Sequence, residues 1–158
     1  MFLINLFTGS ISTSINLGSL SWIYFITAFL GYFLQGTMEE LVCRGFIMNS
    51  LSARYNVWTA ILVNTLIFAG LHGFSDNVTL LAMFNLVLAG LLLSFIFYLT
   101  DNILLVGAFH AIWNFTLGPV FGVPVSGIGF YSSLFKTESI SNQSIINGGL
   151  FGFEGGLA

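Results

Sequence analysis

Four stretches of this chain are almost wholly apolar, and this feature constrains the fold more than any other. They cover residues 20–38, 57–74, 78–100 and 103–118. A helix needs about 20 largely apolar residues to cross the hydrocarbon core of a bilayer. The short polar breaks between the stretches can cap a following helix. The pattern predicts an all-α fold, a polytopic membrane helical bundle with about four core transmembrane helices.

The composition agrees with a lipid environment. The chain is 56% hydrophobic and 6% charged, whereas a water-soluble domain is roughly a quarter charged. Disorder is excluded because it requires low hydrophobicity, and three Lys and Arg residues are too few to form a nucleic-acid surface. We therefore expect the lipid bilayer as a partner, no nucleic acid, and a multi-pass protein of the cell membrane. Arg54 is the clear loop cation, which predicts that its loop is cytoplasmic.

The two ends of the chain differ from its middle. Residues 1–19 are mildly apolar and are predicted to form an interfacial or partial helix before the transmembrane core of residues 20–118. Residues 119–158 contain both prolines and many glycines. Irregular backbone at membrane depth is tolerated only against protein or water, so these residues are expected to form a Gly/Pro-rich, membrane-surface tail.

Several ionisable residues lie in or beside apolar segments, where burial of a charge in the membrane costs free energy. The chain places Glu39, Glu40, Arg44, His72 and His110 within or beside its apolar stretches. A charged residue at the centre of a membrane helix costs roughly 2.5–3.5 kcal/mol on insertion scales, so such residues usually face a bundle interior or a wet cavity. They are the first candidates for a functional site.

Helical spacing indicates which of these side chains can meet. Glu40 and Arg44 are separated by four residues with the acid first, which favours an ion pair; the structural interpretation is a buried pair that fixes helix orientation. Adjacent helical residues diverge by about 100°, so Glu39 and Glu40 are not expected to point into the same site. Glu39 then either needs a partner from another helix or snorkels to the membrane surface.

Two further helices carry polar residues at a spacing of one turn. His110 and Asn114 share one helix face, and Asn64, Phe68 and His72 follow each other every four residues. Such residues can simply form hydrogen bonds between membrane helices. Taken with the two acids, they predict three polar stripes that converge on a common interior.

Seven of these residues form three motifs on separate apolar segments: Glu39-Glu40-x-x-x-Arg44, Phe68-x-x-x-His72 and His110-x-x-x-Asn114. In this order the motifs resemble those of the CPBP family, the intramembrane proteases named for CAAX-processing and bacteriocin-processing enzymes and also called the Abi family. The resemblance covers roughly residues 30–118. Residues 125–127 and 148–156 also resemble a tail of a bacterial branch, whose members usually have more helices, so we expect a short member or a fragment.

The resemblance implies an intramembrane endopeptidase that hydrolyses a peptide bond of a small or membrane-anchored peptide. Glu39 is similar to the family's general base, which acts with His72 to hold and deprotonate a water molecule. His110 and Asn114 resemble the pair that stabilises the oxyanion. These roles suit amide hydrolysis, which needs an activated water and donors directed at the developing negative charge.

The resemblance also implies that Glu40 and Arg44 orient the site and that no cofactor is required. Two alternatives stay open. Glu39, His72 and His110 could supply the two-histidine, one-carboxylate set of a zinc-dependent membrane metallopeptidase. The same fold could also serve as a non-catalytic membrane scaffold or a bacteriocin self-immunity protein.

Overall fold

The computed structural model describes residues 1–157, most of which are helical. The α-helices and strands follow in the order α1 (Phe2–Phe7), β1 (Ile11–Ile15), α2 (Trp22–Glu40), α3 (Asn49–Arg54), α4 (Val57–His72), α5 (Leu80–Thr100), α6 (Ile103–Phe115), β2 (Phe135–Ser139) and α7 (Ser144–Asn147). Two π-helical segments, Leu41–Met48 and Thr116–Val120, continue α2 and α6.

The four predicted apolar stretches form α2, α4, α5 and α6. Within residues 1–157, two helical segments are long and apolar enough to cross a membrane, Leu80–Thr100 and Ile103–Val120. Val57–His72 is apolar but shorter. Length and composition therefore support two of the four predicted spans, and the described chain is a mostly helical bundle.

Polar residues start three of these helices; Asn56 and Asn102 lie in predicted breaks, and Thr79 lies within the apolar stretch predicted for residues 78–100. Asn56, Thr79 and Asn102 each accept a hydrogen bond from the backbone N–H three residues further on. This arrangement satisfies one of the backbone donors that a helix N-terminus leaves without a partner. Asp101 ends α5 in the left-handed conformation, with φ of 45°, which Asp tolerates better than most residues. The capping role predicted for the break before α6 is confirmed, whereas the cap of α5 lies two residues after its predicted break.

Small residues bring α2 and α6 close together. A Cβ atom added at Gly107 would lie 2.8 Å from the Thr37 Oγ1 atom, and one added at Gly36 would lie 3.0 Å from the Ala111 backbone nitrogen. Small residues at such crossings let helix backbones approach in a membrane, where packing drives helix association. The close approach fixes the acidic end of α2 beside the middle of α6.

Residues 1–19, which were expected to form an interfacial or partial helix, contain the short helix α1 (Phe2–Phe7) and the strand β1 of a small sheet. Strand β1 pairs antiparallel with β2, so that Ile11 lies opposite Ser139 and Ile15 opposite Phe135. Thr and Ile favour strands, but the partner strand lies more than 100 residues away, and local composition gives no sign of that pairing. The prediction of an all-α fold is wrong in this one respect.

Residues 121–157, which we call the C-terminal lobe, fold back against the helices. The side chain of Asn85 on α5 donates to the backbone carbonyls of Glu154 and Gly156, at 2.9 and 2.7 Å. At the start of α2, the Ser21 N–H donates to the Ser132 Oγ atom at 2.9 Å. The lobe therefore covers the end of the bundle at which α2 begins. Its buried apolar residues are Val123, Val125, Phe151 and Phe153.

Candidate active site

A fully buried ion pair lies at the centre of the bundle. The side chains of Glu40 and Arg44 are both 0% exposed, and the Arg44 Nη1 atom donates to Glu40 Oε1 at 3.0 Å. The Nη2 atom donates to the Gly90 carbonyl at 2.9 Å, and the guanidinium lies over the Phe68 ring, 4.5 Å from its centroid. The predicted pair is present, and residues of α4 and α5 hold it in place on the C-terminal end of α2.

The pair lies at the junction between α2 and its π-helical continuation, Leu41–Met48. A π-helix has wider turns than an α-helix and is frequently found at functional sites. The i,i+4 spacing of Glu40 and Arg44 gives no sign of this change, because the pair would also form on a regular α-helix. The π-helical turn was therefore not predicted.

The imidazole of His110 lies between the two adjacent acids. Its Nδ1 atom is 2.9 Å from Glu40 Oε1, and its Nε2 atom is 3.9 Å from Glu39 Oε2. Because the Glu40 carboxylate already accepts from Arg44, Nδ1 is the donor in the shorter contact. The two acids therefore approach opposite nitrogens of the same ring, with Glu40 fully buried and Glu39 25% exposed.

His72 approaches the same carboxylate from α4. Its Nδ1 atom lies 2.9 Å from the Phe68 carbonyl, which can only accept, so Nδ1 carries the proton and Nε2 of the neutral ring is an acceptor. That Nε2 atom is 3.9 Å from Glu39 Oε2. Two imidazole Nε2 atoms thus face a single carboxylate oxygen, and this oxygen has no hydrogen-bond partner among residues 1–157.

Gln35 links the first acid to Asn114 and was not predicted. Its Nε2 atom donates to Glu39 Oε1, and its Oε1 atom accepts from Asn114 Nδ2 at 3.4 Å. Gln35 precedes Glu39 by one helical turn, which is the only signal of its role in the sequence. The amide fixes one carboxylate oxygen, and the other is left facing the two imidazoles.

The predicted stripe on α4 divides between two environments. Asn64 does not reach the cavity side of the site; its Nδ2 atom donates to the Ser94 Oγ atom at 3.0 Å. Ser94 donates in turn to the Gly90 carbonyl at 2.7 Å, the same oxygen that accepts from Arg44. Asn64 therefore belongs to a buried network behind the ion pair.

Two cavities meet at the site and share Phe68, His72 and Ser126. The wide cavity has a volume of about 730 Å³ and includes Glu39 and Gln35 in its wall. The narrow cavity has a volume of about 280 Å³ and includes His110 and Asn114. The remaining walls are mostly apolar, with residues such as Tyr24, Tyr32, Ile128 and Phe130 in the wide cavity and Leu86, Leu92 and Phe109 in the narrow one.

The structure of residues 1–157 offers no group of three His, Cys, Asp or Glu side chains arranged to hold a metal ion. Glu39, His72 and His110 approach each other, with the Nε2 atoms of both imidazoles 3.9 Å from the same carboxylate oxygen.

Comparison with known proteins adds one match. A family model described as "Type II CAAX prenyl endopeptidase Rce1-like" matches residues 20–116. No curated protein and no solved structure gives a significant match. The matched range contains α2, α4, α5 and α6 and every residue of the three motifs.

Proposed function

Because the chain belongs to the Rce1-like family of type II CAAX prenyl endopeptidases, we propose that it is an intramembrane endopeptidase in which Glu39 and His72 activate a water molecule. The observation that carries the proposal is the convergence of two imidazole Nε2 atoms on one oxygen of Glu39. The family match identifies the chain as a member of a protease family. The mechanism and the substrate are proposed from the geometry.

Water activation requires two acceptors near one another. Glu39 Oε2 and His72 Nε2 are 3.9 Å apart, which is too far for a direct hydrogen bond and within the reach of a water that donates to both. Such a water loses a proton to the carboxylate as it attacks the peptide carbonyl. A general base of this kind contributes about 10²–10⁴-fold to the rate.

His110 and Asn114 are proposed to stabilise the oxyanion. Asn114 provides an amide donor, and His110 can donate from Nε2 only when both ring nitrogens carry protons, because Nδ1–H is directed at Glu40. The buried Glu40 carboxylate accepts from Nδ1 and orients the ring, as the acid does in a Ser-His-Asp triad. Arg44 holds Glu40 in place.

The surface of the bundle supports a multi-pass position in the bilayer, with lipid as the surrounding partner. Large exposed apolar patches on a protein mark contact with a membrane or with another protein. We propose that residues 20–118 form the transmembrane core, with residues 1–19 and 119–158 at the membrane surface. The substrate is then a small or membrane-anchored peptide. Largely exposed apolar side chains include Ile23, Leu34, Leu66, Phe74, Leu80 and Leu99.

The decisive variant is Glu39→Gln, which keeps the size of the side chain and removes the base. We expect the rate of peptide cleavage by the purified protein in lipid vesicles to fall at least about 100-fold. The matched control is Glu138→Gln, the same change at an exposed acid that pairs with Lys136. Cleavage by Glu39→Gln at the control rate would contradict the assignment of Glu39 as the base, and absence of cleavage by the unaltered protein would favour a non-catalytic scaffold.

A further inference from the structure

The wide cavity is long and follows one face of α2. Its wall includes Tyr24, Ala28, Tyr32 and Glu39. These positions are four or seven residues apart, so their side chains share one face of the helix. From Tyr24 to Glu39 the helix rises about 22 Å. Glu39 and the facing His72 therefore lie at the inner end of a long path, and Tyr24 lies at its outer end.

The C-terminal lobe forms the opposite wall of the outer part of this path. Ile128 and Phe130 belong to the wall of the wide cavity. The ring of Phe130 lies 5.9 Å from the ring of Tyr32, and the ring of Tyr131 lies 6.1 Å from that of Tyr24. Tyr131 is 90% exposed, so the outer end of the path reaches the surface of the protein. A substrate can therefore approach the catalytic carboxylate lengthwise, between α2 and the lobe.

The width of the path indicates which conformation of a peptide it accepts. A volume of about 730 Å³ over a length of about 22 Å gives a mean cross-section of about 33 Å². An extended chain occupies about 48 Å² in packed sheets. A helix with its side chains is about 10–12 Å across and occupies about 80–110 Å². An extended chain therefore fits with modest widening of the cavity, whereas a helix needs more than twice the available cross-section.

Backbone groups of the lobe are free to hold an extended chain. Gly129, Phe130 and Tyr131 take part in none of the backbone hydrogen bonds formed within residues 1–157. The segment is fixed at its start, because the backbone N–H groups of Val125 and Ile128 each donate to the carbonyl of the other, at 3.0 and 2.9 Å. An extended peptide can bind such a segment by strand addition, in which backbone hydrogen bonds provide affinity. A helix cannot bind in this way, since its own backbone groups are already paired.

We propose that the wide cavity binds one flank of the substrate as an extended chain, and that the cleaved bond lies at least about six residues from the nearest folded or helical part of the substrate on that flank. The inference rests on the proposed peptidase function. A length of about 22 Å corresponds to about six or seven extended residues. A folded domain is too wide for the cavity, so a shorter spacing keeps the bond away from Glu39. The substrate class is a peptide or lipid-anchored protein with an unstructured flank.

The experiment uses the full chain in lipid vesicles and random peptides long enough to span the cavity twice. The peptides are joined to a small, protease-resistant folded domain, by their N-terminal end in one set and by their C-terminal end in the other. Both sets are made with and without a prenylated cysteine, and mass spectrometry maps every cleaved bond. In one set, we expect bonds within about five residues of the domain to be cleaved at least about tenfold less than bonds beyond about seven residues.

The outcomes separate this inference from the proposed function. Glu39-dependent cleavage that is equally frequent at short and long spacings in both sets overturns the inference alone. Absence of Glu39-dependent cleavage, in these sets and in the same peptides without the domain, overturns the proposed function as well.

Ala28→Phe tests whether this face of α2 lies along the path. The added ring narrows the cavity about 16 Å from Glu39. For free peptides with a long flank, we expect kcat/KM to fall at least about tenfold through a higher KM, because the crowded cavity binds the chain less well. Peptides with fewer than about four residues on that flank do not reach the ring and should be cleaved at the unaltered rate.

Ala53→Phe is the matched control, since it makes the same change at an exposed position of α3 outside the walls of both cavities. It should leave both rates unchanged. An equal effect of Ala28→Phe on long and short flanks, or no effect on either, contradicts the path along α2. If Ala28→Phe does not fold, the spacing measured with the unaltered protein still decides the question.

Discussion

At the scale of single residues, the most demanding feature is a pair of opposite charges enclosed in an apolar bundle. Removal of one partner from a buried ion pair usually costs about 3–5 kcal/mol, because the other charge stays buried without compensation. Arg44→Met should therefore lower the free energy of unfolding by about this amount, as measured by denaturant titration in detergent micelles. Arg54→Met makes the same change at an exposed position and should alter stability by less than about 0.5 kcal/mol.

The double variant Glu40→Gln/Arg44→Met separates the ion pair from simple packing. If the cost comes from an uncompensated charge, the double variant should be more stable than Arg44→Met alone. A double variant less stable than either single variant would show that packing of the two side chains is the larger contribution.

Gln35 provides a second prediction at this scale. Its amide donates to Glu39, and loss of a hydrogen bond to a charged group costs about 1.5–3 kcal/mol, which corresponds to roughly 10–150-fold in rate. Gln35→Ala should lower kcat by this factor and leave KM within about twofold, because the residue positions the base and is not expected to bind the substrate. Gln143→Ala deletes the same side chain outside both cavities and should retain full activity. An equal loss in the control, or a change in KM alone, would contradict a positioning role.

The sequence identified most residues of this site but few of their contacts. Charged and imidazole groups in apolar segments are conspicuous because burial is costly. The contact of both acids with His110 was missed, because spacing along one helix does not show a ring from another helix between them. Gln35 was missed because a neutral amide in an apolar helix carries no comparable cost.

At the scale of elements, the crossing of α2 and α6 sets the distance between Glu39 and His110. A Cβ atom at Gly107 would lie 2.8 Å from Thr37 Oγ1 and 2.9 Å from Thr37 Cα, so one helix must shift. Gly107→Ala should destabilise the protein by about 1–3 kcal/mol and lower kcat, since the reacting groups move apart. Thermal unfolding and steady-state kinetics measure both effects.

Gly31→Ala is the matched control on α2, because no heavy atom lies within 4 Å of the added Cβ. We expect it to be neutral or slightly stabilising, since Ala is the better helix former. If Gly107→Ala behaves like this control, the close approach of the two helices does not determine the geometry of the site.

Element prediction succeeded where the signal is local. Apolar runs and polar breaks located α2, α4, α5 and α6 to within a few residues. The sheet was missed because β1 and β2 pair across more than 100 residues. The π-helical turn at Leu41–Met48 was missed because the spacing of Glu40 and Arg44 suits a regular α-helix equally well.

At the scale of the whole molecule, the position of the C-terminal lobe could not be predicted from its composition. Glycine and proline indicated irregular backbone, and the structure shows where this backbone lies. Gly152 has φ of 94°, and a Cβ atom there would collide with the Pro124 carbonyl, so the chain folds tightly on itself. Hydrogen bonds from Asn85 and Trp113 then hold the lobe against α5 and α6. These contacts join segments that are distant in the sequence.

The orientation of α5 in the bilayer is the last prediction. Its 21 residues span about 30 Å, so its two ends should lie on opposite sides of the membrane. With Cys43 replaced by Ser, single cysteines at Asp76 and Thr100 should react with a membrane-impermeant maleimide from opposite faces of sealed vesicles. Trp58, near the start of α4, packs against Tyr98, near the end of α5. Thr100 therefore lies at the same end of the bundle as the Arg54 loop. The positive-inside rule predicts that this end faces the cytoplasm. Labelling of both positions from one face would mean that α5 does not cross, and the multi-pass arrangement would then be wrong.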